Sequence, residues 1–180
     1  MKLLLHTCCA PCLIYPLQVL AQEGIKTRGF FYNPNIHPYG EFSKRRDTVL
    51  EYAKIIRLEL IAQKAAYPVE DFFRAVNLKE KSPERCTLCW ALRLKETALT
   101  AKAHDFDFFS TTLLVSPYQD QEMLKKIGAG ISQETGIQFF YRDFREGFRP
   151  SHQEAKAKGM YLQKYCGCIY SERERYVRCC

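Results

Sequence analysis

Seven cysteines fall into three groups along the chain. Cys8, Cys9 and Cys12 stand in His6-Thr-Cys-Cys-Ala-Pro-Cys12, Cys86 and Cys89 in RCTLCW, and Cys166 and Cys168 in YCGC. Thiolates are soft donors for zinc, iron and iron–sulfur clusters, and clustered cysteines in a reducing compartment are metal ligands or redox groups rather than disulfides. A closed zinc site takes four ligands, so seven thiols exceed one zinc and suit an iron–sulfur cluster with a second metal or a redox pair beside it. Two simpler chemistries stay open at this point. Cys86, Cys89, Cys166 and Cys168 alone fit structural zinc as well as iron, and Cys9-x-x-Cys12 resembles the dithiol of thioredoxin-like oxidoreductases, although that leaves four paired thiols idle.

The elements around these groups place them at one edge of a sheet. The apolar run Leu3–Leu5 predicts a buried strand and Leu13–Leu20 a helix, so the first three thiols occupy a strand-to-helix turn. In an open α/β sheet that turn lies at the carboxyl edge, where ligands bind and helix-start N–H groups favour anions. Ser82-Pro83 predicts a helix start, with Ser as N-cap and Pro first, which sets Cys86 and Cys89 on one face of its first two turns. Gly167, between the last two thiols, allows the tight backbone that a cluster needs.

The remaining pattern alternates strand and helix. Helix is predicted to Gln22, then a strand over Arg28–Asn33, a polar loop Asn33–Tyr39, a helix Glu41–Ile56 and a strand Leu58–Ala62. A short helix is expected over Pro68–Ala75 and a long one to Ala103. There follow a strand Asp107–Leu114, a helix Gln121–Glu134 interrupted by Gly128 and Gly130, and a strand Ile137–Tyr141. Ser151–Glu154 reads as a capping box opening a helix that ends near Gly159. Four strand–helix units and a fifth strand predict an α/β, single-domain, Rossmann-like parallel five-stranded sheet flanked by helices, over 1–180. Residues 172–180, with Cys179 and Cys180, are expected to be a disordered tail.

Composition narrows the setting. No run is long or apolar enough for a membrane span or a signal peptide, so a cytoplasmic address is expected. Net charge is +7, from 27 Lys and Arg against 20 Asp and Glu, with 11 Tyr and 12 Phe. That combination suits either a solvated basic face or an RNA surface, where phosphates meet the charges and unstacked bases the rings. Lys44, Arg45 and Arg46 oppose the dipole of the helix they open, a small penalty that a phosphate would relieve. Trp90 is expected in the core, and His6 reads equally as a hydrogen-bonded strand end or a ligand.

Taken together, LLLHTCCAPC, FFYNPNIHPYGEF with its SKRR, RCTLCWALRL, FSTTLLVSPYQ, DFREGFR and MYLQKYCGCIYS resemble, in order and over residues 3–171, the QueH-type epoxyqueuosine reductases. The resemblance implies a fold similar to the nucleotide α-hydrolase (HUP) group, with the phosphate-gripping glycine turn replaced by cysteines. It implies the last step of queuosine synthesis. In that step the epoxide oxygen of epoxyqueuosine at the tRNA wobble position is removed by two electrons, without cobalamin. It further implies a [4Fe–4S] cluster and an additional mononuclear iron or other divalent metal. Cys8, Cys9, Cys86, Cys89, Cys166 and Cys168 match the family's cysteines, and Cys12 falls where some members carry Asp. Either side chain ligates iron, the thiolate being softer.

On that reading an external donor supplies electrons and a nearby side chain the protons, with His37 and Tyr118 as the catalytic candidates. Lys44, Arg45, Arg46, Arg142, Arg145 and Arg149 are candidates for gripping the anticodon loop of the tRNA, with Phe144 or Phe148 stacking a splayed base. The alternatives are a zinc-binding RNA-interaction module and a CxxC dithiol oxidoreductase. An ATP-dependent tRNA thiolase of related fold needs a glycine-rich phosphate loop that His6–Cys12 lacks.

Overall fold

Leu3, Leu4 and Leu5 have no exposed surface because their strand, β1 (Lys2–His6), is the middle of the sheet and is covered on both faces. In this computed structural model, which describes residues 1–62 and 67–177, β1 pairs in parallel with β2 (Lys26–Phe31) and β4 (Phe108–Thr111). β3 (Leu60–Ala62) extends the sheet beyond β2, and β5 (Gln138–Phe139) extends it beyond β4, in the order β3-β2-β1-β4-β5. The chain therefore winds outward from β1 in one direction and then returns to wind in the other. The crevice between the carboxyl ends of β1 and β4 is the switch point where such sheets bind ligands.

Right-handed crossovers put α1 (Ala10–Gln22) and α2 (Tyr39–Ile55) on one face and α4 (Glu84–Ala103) and α5 (Gln121–Thr135) on the other. α1 packs accordingly against α2 and α6 (Phe148–Ala157), and α4 against α5 and the short α3 (Val69–Ala75). α1 starts at Ala10, earlier than its periodicity indicates, since Pro11 suits a first turn; Cys12 is thus helical.

Several boundaries differ from the sequence reading for identifiable reasons. β4 stops at Thr111, whose hydroxyl accepts the Leu113 N–H and turns the chain into a 3₁₀ helix over Thr112–Val115. α5 runs unbroken through both glycines; at Gly128 a Cβ would lie 2.2 Å from the Phe139 ring, so the glycine makes room for β5. α4 has Pro83 at its cap with no side-chain bond, while the Ser82 hydroxyl lies 3.8 Å from Cys86 Sγ. The capping box does not form. A 3₁₀ turn over Arg145–Gly147 leads straight into α6, which leaves Ser151 inside the helix and Glu154 paired with Lys158. Residues 172–176 are not a disordered tail. They belong to α7 (Ile169–Tyr176), capped by Cys168 Sγ accepting from Ser171 N–H and tied to α4 by Glu174 and Arg85. Cys179 and Cys180 lie outside the described residues.

Candidate metal centre

The first thiol group sits at the switch point. Cys9 is the extended N-cap of α1, and the Sγ atoms of Cys8, Cys9 and Cys12 all lie within 4.8 Å of one another. Cys8 and Cys9 sulfurs are 3.7 Å apart. Tetrahedral thiolates about 2.3 Å from one ion stand about 3.8 Å apart, so this pair has the spacing of ligands to a single metal. Thr112, from the neighbouring β4 exit, accepts the Cys8 N–H at 3.1 Å and donates to Cys8 Sγ at 3.4 Å. Gln163 Nε2 reaches Cys9 Sγ at 3.1 Å and Cys12 Sγ at 3.9 Å. Hydrogen bonds from Cys12 and Cys9 outweigh burial and hold the Cys8 thiol well below its ordinary pKa. Donation to Cys8 and Cys9, with burial, pushes Cys12 well above it. One thiolate among protonated neighbours is a site that releases protons on taking up a metal.

His6 resolves as a hydrogen-bonded strand end. Its Nδ1 faces Thr111 Oγ1 at 2.9 Å and its Nε2 the carbonyl of Tyr32 at 3.1 Å, which occupies both nitrogens. Burial, with the nearby Arg93 charge, lowers its pKa to about 4, so it is neutral.

The other four thiols converge from α4 and the segment before α7. Cys89 and Cys168 pack together with Phe72 and Val76. Burial pushes the Cys89 thiol up to about 12, and desolvation also raises Cys166, although that residue as a whole is exposed. Each of these two is raised further by the charges of Cys168 and Cys86, which places all four in one neighbourhood. Among the described residues only the first group brings three sulfurs within 4.8 Å.

A clamp built by α2 and the loop before it holds the last pair. Gly167 has φ +134°, open only to glycine, and its carbonyl accepts the His37 N–H at 2.8 Å. The Tyr165 hydroxyl donates in turn to the His37 carbonyl. Arg45 is not the phosphate grip expected from SKRR. It is 2% exposed, pairs with Glu41 at 2.7 Å, and donates from Nη1 to the Cys166 carbonyl at 3.0 Å and from Nη2 to the Tyr165 carbonyl at 2.9 Å. Placed one turn after Glu41, it faces inward, and that carboxylate relieves the dipole penalty.

His37 stands beside the pair, its ring against Phe72 and Phe73 and its Nδ1 accepting the Ile169 N–H at 3.3 Å. That bond puts the ring proton on Nε2, which is buried without a partner. Burial lowers its pKa to about 4, so His37 presents a neutral N–H and no imidazolium. Tyr118, the other proton candidate, is 82% exposed, with its ring edge-on to Phe148, which in turn contacts His152. It belongs to an aromatic surface, not to the buried site. Phe144 is fully buried and cannot stack a base, whereas Phe148 is half-buried.

Of the expected RNA contacts, Lys44, Arg142, Arg145 and Arg149 are exposed and Arg46 half-buried. Arg142 pairs with Glu23, Arg145 with Asp143 and Arg46 with Asp47. A second basic surface lies at the opposite, amino edge of the sheet. There a cavity of about 430 Å³ is lined by Lys2, Lys26, Arg28, Arg57 and His104 and by no thiol.

Three arginines no more than 2% exposed surround the thiols: Arg45, Arg85 and Arg93. Arg85 pairs with Glu174 at 2.8 Å and approaches Cys86 Sγ at 4.0 Å, and Arg93 donates to the Cys89 carbonyl at 3.3 Å. The sequence reading passed over Arg85, Arg93, Thr112 and Gln163. Arg85 and Arg93 left a signal, since they stand four residues before and four after Cys89 on the same helix face.

Comparison with known proteins identifies the family. Residues 3–174 match the family model described as epoxyqueuosine reductase QueH. The chain is 35% identical over 175 residues to the epoxyqueuosine reductase QueH of Dehalococcoides mccartyi, covering 97% of this chain and 94% of that one. It is also 35% identical over 179 residues to that of Thermotoga maritima, covering 96% and 91%. Among solved structures, a predicted subunit of tRNA methyltransferase from Methanocaldococcus jannaschii superimposes with a TM-score of 0.54 at 11% identity, over 86% of this chain and 74% of the other. That likeness bears on the fold alone.

Proposed function

The chain belongs to the epoxyqueuosine reductase QueH family, and we propose that it reduces the epoxide of epoxyqueuosine at the wobble position of tRNA to the alkene of queuosine. The reaction consumes two electrons from an external donor and two protons, and releases the oxygen as water; no cobalamin takes part. The seven thiols would hold a [4Fe–4S] cluster and an additional iron. The observation that carries this reading is the sulfur triad of Cys8, Cys9 and Cys12 at the sheet's switch point, spaced for one ion, next to four more thiols spread more widely. When bound, the cluster supplies electrons singly and the neighbouring iron polarises the epoxide oxygen.

The chain's own groups complete the site. Thr112 and Gln163 donate hydrogen bonds to the sulfurs of Cys8 and Cys9, which fixes their direction and draws charge from them. His37, neutral, offers its Nε2–H as a hydrogen-bond donor to developing charge on oxygen, while the protons come from elsewhere. Lys44, Arg46, Arg142, Arg145 and Arg149 neutralise anticodon-loop phosphates, and Tyr118 with Phe148 offers a stacking surface for an unstacked base. The protein is a single domain that works in the cytoplasm. Among the described residues no helix is long and apolar enough to cross a membrane.

The test is iron, sulfide and zinc analysis of protein purified without oxygen, followed by a deoxygenation assay on tRNA carrying epoxyqueuosine with a chemical reductant. A brown protein with sulfide that yields queuosine is expected. A colourless zinc protein would replace this reading with an RNA-interaction module. Turnover without iron that needs only Cys9 and Cys12 would replace it with dithiol chemistry.

A further inference from the structure

Arg93 is 1% exposed, donates from Nε to the Cys89 carbonyl at 3.3 Å, and has no partner at Nη2. Arg45 and Arg85 are as deeply buried, but each has a carboxylate, Glu41 and Glu174. Among the described residues no carboxylate pairs with Arg93. A guanidinium stays charged in proteins, and a buried charge without a counter-ion is strongly unfavourable. Something anionic must therefore come close to it.

The groups beside it identify that anion. Arg93 follows Cys89 by one turn of α4 and holds that residue's carbonyl, and Cys89 in turn packs against Cys168. Arg93 thus lies next to thiols from both α4 and the pair before α7. A neutral carbonyl contact alone does not balance it. We infer that Arg93 is the built-in counter-ion of the metal-bearing thiolates, a positioning residue that stabilises the anionic centre and raises its reduction potential. The inference rests on the iron–sulfur reading of the thiols. A positive charge close to a cluster favours the added electron, and net charge is one of the terms that set such potentials.

Wild type, Arg93→Lys and Arg93→Met are purified anaerobically, and the reduced fraction of the cluster is followed by electron paramagnetic resonance during a redox titration, with no substrate present. At a fixed solution potential the ratio of reduced to oxidised cluster is expected to fall at least tenfold in Arg93→Met, about 59 mV for one electron. Arg93→Lys, which keeps the charge, is expected to stay within a few-fold of wild type. Arg93→Met with full iron and the wild-type potential would overturn the inference. If Arg93→Met loses metal while Arg93→Lys retains it, the charge requirement stands. If both lose it alike, only the shape of the arginine matters and the inference falls. A wild type without iron and sulfide counts against the proposed function instead. The same three proteins are then compared for how fast a chelator removes the metal they do carry, with at least tenfold faster loss expected from Arg93→Met alone.

Discussion

Arg45 Nη1 donates to the carbonyl oxygen of Cys166 at 3.0 Å, so a helix that begins just after β2 holds the backbone of a cysteine near the far end of the chain. The same guanidinium closes onto Glu41, which also receives the Tyr161 hydroxyl. Replacing Arg45 with Met leaves Glu41 buried and unpaired and strips donors from two carbonyls. Breaking a buried pair from one side costs roughly 3–5 kcal/mol. The urea midpoint of Arg45→Met is expected to drop accordingly and its iron content to fall. The salt dependence of tRNA binding is expected to stay unchanged, because this charge does not reach the surface.

Gly167→Ala tests the backbone between the last two thiols. At φ +134° an added Cβ would sit 3.1 Å from Ile36, 3.2 Å from Asn35 and 3.3 Å from Arg45. The strain is about 1–3 kcal/mol, and it falls on the clamp itself. The expected outcome is a folded protein, by circular dichroism, with substoichiometric iron.

Tyr118 separates stacking from proton transfer. Its ring is 82% exposed and rests on Phe148. Loss of one stacked base costs about 1–3 kcal/mol, so Tyr118→Ala is expected to weaken tRNA affinity by about 5- to 150-fold. Tyr118→Phe keeps the ring and is expected to turn over at the wild-type rate with unchanged affinity. A large fall in turnover for the phenylalanine variant would return the hydroxyl to the chemistry.

His6 and His37 predict an acid-sensitive fold. Both have pKa values lowered to about 4 by burial, against 6.5 for the free side chain. Between those values only the unfolded chain takes up protons, so stability is complete above the unfolded pKa and falls as the pH drops toward about 4. Each histidine contributes up to about 3 kcal/mol to that loss. Urea midpoints measured between about pH 7 and pH 4.5 are expected to decline steeply for wild type and less steeply for His37→Gln. Equal slopes would mean that His37 charges freely in the folded state.

Much of the architecture is legible in the sequence because local geometry dictates it. Leu3–Leu5 has the pattern of a buried strand, Pro11 suits a first helical turn, and the alternation of such runs yields a parallel sheet. The misses occur where side chains intervene. Thr111 ends β4 with its own hydroxyl, Glu154 joins Lys158 and not a capping box, and Glu174 reaches Arg85 to organise what reads as a charged tail. Each of those choices depends on a neighbour brought up by folding.

The sequence by itself determined the inventory of candidate ligands: seven thiols in three groups, each group on an element whose start or turn is written in its own residues. Spacing within an element follows from the fixed rise and twist of helix and strand, so Cys86 and Cys89 share a face whatever surrounds them. Only the tertiary structure decided what the cations do. Lys44, Arg45 and Arg46 are indistinguishable as a basic run, yet packing turns Arg45 inward onto the Cys166 loop, leaves Lys44 in water, and buries Arg93 against the Cys89 carbonyl. Distances between elements are set by which faces pack against each other, and those faces meet only in the fold.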